Sequence, residues 1–290
     1  MVKIENEFLV VEIQEKGAEV IRVISKEDGK NYMWDKNPEI WNGVSPNLFP
    51  TVGKSIGDEI RYDGKIYKLG NHGFARHSIF QWEKSLDGKS ADFILDDSMI
   101  EKNSFPFQFY LDINYRLEDR KLITTYYVKN PGDGKTIFTL GAHPAFKVPF
   151  HQGKKIGDYY VEFPMDTQLI LHELTSFATY TGRREEFNLE DGKLDLRIYD
   201  VANTYVFSDF KSEYVKLIEK GSGNFIKVDI KGFKYLAFWK KSEGDFICIE
   251  PWIGKSDMEG FRGEFHEKED MITLTKNEDF RIGYGIEFMY

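Results

Sequence analysis

The tripeptide Asp-Gly-Lys occurs five times, at 28–30, 63–65, 87–89, 133–135 and 191–193, each time between short runs rich in Ile, Val, Tyr, Phe and Thr. An Asp-Gly pair between β-type flanks favours a tight hairpin, because the central residues of such turns take positive φ. The runs around these turns read as strand pairs: Glu59–Tyr62 with Ile66–Leu69, Leu111–Leu117 with Leu122–Lys129, and Tyr214–Glu219 with Phe225–Ile230. Their residues suit a pleated, half-buried surface. Helical periodicity does not persist beyond about ten residues anywhere, and short helical turns are expected only at Asn37–Trp41 and Met99–Asn103. Many short strands with polar turns and few short helices predict an all-β fold, a large antiparallel β-sandwich. The unequal spacing of the five turns argues against a repeat architecture. No Pro/Ser linker, low-complexity tract or composition shift divides the chain, so residues 1–290 are expected to form one domain.

Composition narrows the partners. The chain carries 39 Lys and Arg against 48 Asp and Glu, a formal charge of −9, which disfavours nucleic acid and anionic membranes as partners. Hydrophobic residues make up 41% and aromatics 16%, enough for a large core. Cys248 is the only cysteine, so neither an internal disulfide nor a Cys-rich zinc cluster can form. The opening MVKIENEFLVVEIQEKG lacks the basic-then-apolar pattern of a signal peptide, and no uninterrupted apolar stretch approaches the length of a transmembrane helix. A cytoplasmic protein, monomer or homodimer, is expected.

Phosphate-cradling loops, dinucleotide fingerprints, the Gly-x-Ser-x-Gly elbow and His-Glu-x-x-His are all absent. Three short segments remain that set polar groups among apolar neighbours. In Asn71-His72-Gly73-Phe74-Ala75-Arg76, a hydrogen-bonding ring and a fixed fork of donors fall close together at a strand end, an arrangement that can bind the hydroxyls of a polyol or a phosphate. A loop histidine and a surface arginine are the plainer reading. In Leu140-Gly141-Ala142-His143-Pro144-Ala145-Phe146, proline biases His143 toward extended geometry, and small neighbours leave room beside an imidazole able to exchange a proton. A core histidine with one satisfied hydrogen bond is the alternative. In Phe246-Ile247-Cys248-Ile249-Glu250-Pro251-Trp252, strand alternation puts Phe246, Cys248 and Glu250 on one face. Beside tryptophan such a carboxylate is desolvated and its pKa raised, which suits a general base, whereas an edge-strand Glu paired with a surface Lys is the bland equivalent. Trp252 also offers an aromatic platform for the apolar face of a sugar ring. His77 follows Arg76 but lacks small-residue surroundings, whereas His151, His172 and His266 sit in charged or flexible contexts and read as solvated, as do the mixed-charge stretches 183–186 and 264–270.

In order and spacing, His-Gly-Phe-Ala-Arg, Ala-His-Pro-Ala-Phe and Cys-Ile-Glu-Pro-Trp resemble the aldose 1-epimerase (galactose mutarotase) superfamily. Pro50-Thr51-Val52-Gly53-Lys54 resembles the family's Pro-x-x-Gly-Arg segment, and Phe238-Trp239 precedes the Glu-Pro-Trp strand as in the family. The resemblance runs from residue 5 to the C-terminus. It implies a galactose mutarotase-like supersandwich with an open groove, no obligatory metal or cofactor, and interconversion of sugar anomers. It also implies Glu250 as general base, His143 as general acid, His72 as the second active-site histidine and Arg76 as a substrate contact. Lys54 stands where the family commonly has arginine, and Asn203 aligns where many members have a substrate-binding aspartate. The expected ligand is a small-molecule sugar or sugar phosphate. A hexose-6-phosphate 1-epimerase and a non-catalytic carbohydrate-binding protein are the alternatives. A glycosidase is disfavoured, because only Glu250 lies in a site-like segment and that chemistry generally uses two carboxylates.

Overall fold

In the computed structural model, which describes residues 1–200 and 204–289, the longest strands alternate buried and half-buried side chains, as a sheet with one face on a core requires. Two large antiparallel sheets organise the chain. The first has nine strands in the order Lys193–Asp195, Tyr159–Glu162, Tyr214–Glu219, Phe225–Asp229, Asp279–Met289, Lys121–Lys129, Tyr110–Glu118, Ser90–Asp96 and Gln81–Lys84. The second runs Tyr180–Asn188, Gln168–Leu174, Thr204–Ser208, Tyr235–Trp239, Phe246–Trp252, Gly141–Ala142 and Asn47–Leu48, with Ala145–Lys147 also paired to Phe246–Trp252. This is the expected all-β sandwich.

The main core draws on both large sheets, for example Phe93, Leu111 and Ile113 from the first and Phe207, Phe238 and Ile249 from the second. A smaller cluster, including Val206, Tyr235, Ala237 and Trp252, covers the opposite face of the second sheet. The central strands of that sheet, Tyr235–Trp239 and Phe246–Trp252, are therefore buried on both sides. Strand Phe246–Trp252 has no exposed position at all, and Glu250 lies within it.

The three expected strand pairs form, with ends shifted by a residue or so. The Asp-Gly-Lys segments divide by role. At 63–65 and 191–193 both Asp and Gly take positive φ, whereas at 28–30 and 87–89 only Gly does. The segment at 133–135 is no hairpin tip: it links Lys121–Lys129 to Thr136–Phe138, which pairs instead with Ile272–Leu274. Short helical turns fall at Ile56–Asp58, Ala75–His77, Ile156–Asp158, Leu196–Asp200 and Phe265–Glu267. Neither expected segment is helical; Asn37 and Trp41 close a loop through an isolated bridge.

Candidate functional site

Strand register brings the second and third segments together. Gly141 pairs with Trp252 and Ala145 with Cys248, so the same antiparallel register sets His143 across from Glu250. Pro144 has no amide hydrogen to give, and its carbonyl accepts from Ile249 N at 3.2 Å. A Cβ on Gly141 would meet Trp252 Cδ1 at 2.6 Å, so glycine here lets the indole lie over the strand. The room left by small neighbours thus serves Trp252 as much as His143. His143 Nε2 comes 3.2 Å from Glu250 Oε2, and both side chains are buried.

The first segment is held by a reciprocal pair of bonds. His72 N donates to Gly53 O at 2.9 Å, and Gly53 N donates to His72 Nδ1 at 3.0 Å. Because Nδ1 accepts, His72 is neutral and carries its proton on Nε2. Gly73, at φ +74, lies so close to Phe49 that a Cβ would meet its carbonyl oxygen at 2.3 Å. The His72 ring stands 5.4 Å from the His143 ring and 5.9 Å from the Trp252 ring system, centroid to centroid. Arg76 sits half-buried in the following helical turn and has no ion pair or hydrogen-bond partner for its guanidinium among the described residues.

These groups line one cavity of about 290 Å³, together with Lys54, Trp41, Tyr180 and Trp239. Trp41 stacks on the His143 ring at 5.1 Å, and Trp239 meets that ring edge-on at 5.7 Å. On the cavity wall His143 Nδ1 and Tyr180 OH are buried without hydrogen-bond partners among the described residues, and the Glu250 carboxyl meets only the His143 and Trp252 side chains apart from the field of Arg76. Buried polar groups are nearly always satisfied, so such a cluster marks a place where a polar ligand completes the bonding.

Burial dominates the electrostatics. It pushes the Glu250 carboxyl well above its usual range, with Arg76 and Trp252 pulling the other way. Burial, then Arg76, holds His143 down at about 3, and burial, then His143 and Arg76, keeps His72 well below an ordinary imidazole. The free site therefore favours a neutral imidazole beside a protonated carboxyl. Trp252 helps enclose Glu250, as expected, but its side chain lowers the carboxyl pKa; burial does the raising.

Donor atoms of His143, Cys248 and Glu250 lie within 4.8 Å of one another and are the described residues most able to hold a metal ion. Burial, then Glu250, pushes the Cys248 thiol well up, whereas a thiol ligand must ionise to coordinate.

Two expectations of solvation do not survive, at His172 and Lys268. Lys54 lines the cavity, but its ammonium is paired with Asp58. Asn203 lies outside the described residues. His172, expected to be solvated, is 4% exposed, with Nε2 2.8 Å from Ser208 Oγ. It is buried because the Tyr235 and Tyr180 rings pack edge-on against it, at 5.4 and 5.7 Å. Lys268, in a stretch expected to be solvated, is buried and paired with Asp257 at 2.7 Å. Tyr180 and Trp41 are site residues that the sequence reading missed. Nothing local separates Tyr180 from the other 15 tyrosines, since long-range packing alone delivers it to the cavity.

The family model described as aldose 1-epimerase matches residues 1–273. The chain is 29% identical over 279 residues to the chromosomal LacX protein of Lactococcus lactis subsp. lactis, covering 88% of each. Among solved structures it is similar to a galactose mutarotase related enzyme from Lactobacillus acidophilus, at 29% identity and TM-score 0.91, covering 99% of this chain and 97% of that one. A galactose mutarotase-like protein from Lactobacillus casei is similar at 28% identity and TM-score 0.91, with 99% of each chain covered. Among the described residues, no helix is long and apolar enough to cross a membrane.

Proposed function

The chain belongs to the aldose 1-epimerase family, and on that premise we propose that it is a mutarotase interconverting the α and β anomers of a free hexose. The observation that supports this reading most is the convergence of the His143–Glu250 pair, 3.2 Å apart, with the unpartnered His143 Nδ1 and Tyr180 OH on one small cavity. A ring bearing hydroxyls on its rim and C–H groups on its faces supplies what these atoms and the surrounding indoles lack.

Glu250 takes the proton from the anomeric O1 while His143 gives one to the ring oxygen. The C1–O bond of the ring breaks, O1 becomes the aldehyde oxygen, and rotation about C1–C2 presents the other face. Closure returns both protons. No charge need accumulate on either oxygen, because the two transfers run together. Since the free site favours protonated Glu250 and neutral His143, the proton required on His143 rests on Glu250, 3.2 Å away. The pair behaves as a unit holding one proton, and substrate binding moves that proton toward His143. His72 donates from Nε2 to a sugar oxygen, and the Arg76 fork receives a hydroxyl pair and favours the carboxylate form of Glu250.

Lys54 pairs with Asp58, so a hexose 6-phosphate would compete with that carboxylate for the ammonium. Polarimetry on α-D-glucose, α-D-galactose and glucose 6-phosphate tests the reading. The expected result is faster equilibration of a free hexose than in buffer. Binding without acceleration would establish the carbohydrate-binding alternative, and acceleration of the phosphate alone would establish the sugar-phosphate one.

A further inference from the structure

Lys255 is buried, and its ammonium meets the exposed Glu269 carboxylate, with Nζ 2.7 Å from Oε2. The same nitrogen stands 5.1 Å from the centroid of the Tyr180 ring and 5.2 Å from that of Tyr235. A cation over an aromatic face is attracted to it, more strongly where water is excluded. His172 packs edge-on against both rings. Burial, followed by Lys255 and Arg184, holds that imidazole at about 4, so it lies there as a neutral ring. Tyr235 is tied down by its hydroxyl, which donates to Asp270 Oδ2 at 2.6 Å. The Tyr180 hydroxyl instead opens into the cavity of Glu250 and His143, without a hydrogen-bond partner among the described residues.

The chain that follows the Glu250 strand sets both partners in place. Ile253 N donates to Leu140 O at 3.0 Å, and a Cβ on Gly254 would meet Thr139 Oγ1 at 2.4 Å, so the approach to Lys255 is fixed against residues 139 and 140. Further on, Asp257 O accepts from Tyr180 N at 3.0 Å, and Glu259 N donates to Tyr180 O at 2.7 Å. Resting on the mutarotase reading, we propose that Lys255 is a positioning residue that acts through Tyr180. Its charge holds the ring so that the hydroxyl points at the sugar, and it polarises the π-system so that this hydroxyl donates more strongly. Lys255 itself is outside the cavity lining, so it reaches the sugar only through the ring. Packing gives no reason for a charge here. A buried ammonium loses hydration that an apolar side chain of the same length does not have to lose.

A double-mutant cycle tests this, reading kcat/KM for anomer exchange of glucose and galactose together with calorimetric Kd and the urea midpoint. Lys255→Met should lower kcat/KM by about fivefold at an unchanged or higher urea midpoint, and Lys255→Arg should restore most of that loss. In the Tyr180→Phe background, Lys255→Met should cost less than about twofold. Glu269→Gln removes the carboxylate beside the ammonium and leaves the rings alone, so it should keep the wild-type rate. A loss of equal size in both backgrounds, or wild-type kinetics in Lys255→Met, overturns the proposal and leaves the mutarotase reading standing. A wild-type protein that binds a hexose without exchanging its anomers overturns the mutarotase reading, and the same cycle in Kd then decides the part played by Lys255.

Discussion

Tyr180 is the side chain whose state most needs a ligand. Its hydroxyl is buried and unpaired, and burial, then Tyr235 and Glu250, raises its pKa well above an ordinary phenol, so it stays a neutral donor. Tyr180→Phe removes one hydrogen-bonding group without opening a cavity. The variant should lose roughly 3- to 10-fold in kcat/KM by polarimetry, while its urea midpoint stays level or rises, since no protein partner is left unsatisfied. A drop in stability with unchanged kinetics would make Tyr180 a structural residue only. Cys248 supports a second expectation. Its thiol is held protonated beside the pair, so incubation with EDTA should leave the equilibration rate unchanged.

Elements explain why separate sequence segments act together. The strand Phe246–Trp252 and the interrupted partner 141–147 carry Glu250 and His143 in one register, and the loop at 72–76 is fixed by its close approach to residues 49–53. Gly73→Ala adds a Cβ at positive φ against the Phe49 carbonyl. It should cost more than about 1 kcal/mol in urea unfolding and lower kcat/KM, because His72 and Arg76 move with the loop. Wild-type stability in that variant would show that the approach is not tight. Much of this was legible in the sequence: Asp-Gly turns marked hairpin 59–68, alternation put Glu250 and Cys248 on one face, and three motifs named five residues, His72, Arg76, His143, Glu250 and Trp252, now found around one cavity. What was not legible depended on contacts between distant strands. His172 looked solvated beside the charged Glu173, yet the distant Tyr180 and Tyr235 rings cover it. Lys54 matched a motif position, but Asp58, four residues on, takes its charge. The turn at 133–135 obeyed the local rule for a hairpin and was overruled by where its following strand had to pair.

At the scale of the molecule, packing of the two large sheets leaves ionisable groups dry, and this sets the pH dependence of stability. Burial raises Glu250, and burial with Asp92 raises Asp112 to about 6; such groups contribute stability that is lost as pH rises through the folded pKa. Burial lowers His72, His143 and His172, so the unfolded chain binds more protons than the folded one below a free imidazole pKa of roughly 6.5, and stability falls with acid. The urea midpoint should therefore peak at about pH 6 and decline on both sides. Glu250→Gln should flatten the alkaline decline, its advantage over wild type growing from pH 5 to pH 8. A midpoint that rises steadily to pH 8 would contradict this account of burial. The central claim is that His143 and Glu250 together carry protons to and from the anomeric centre. Exchange NMR on an equilibrated free sugar reads this directly, as the enzyme-dependent rate of α–β interconversion. The account predicts a measurable rate for wild type and losses on the order of 10² or more in His143→Ala and in Glu250→Gln, with both variants folded. Wild-type exchange rates in either folded variant would contradict it.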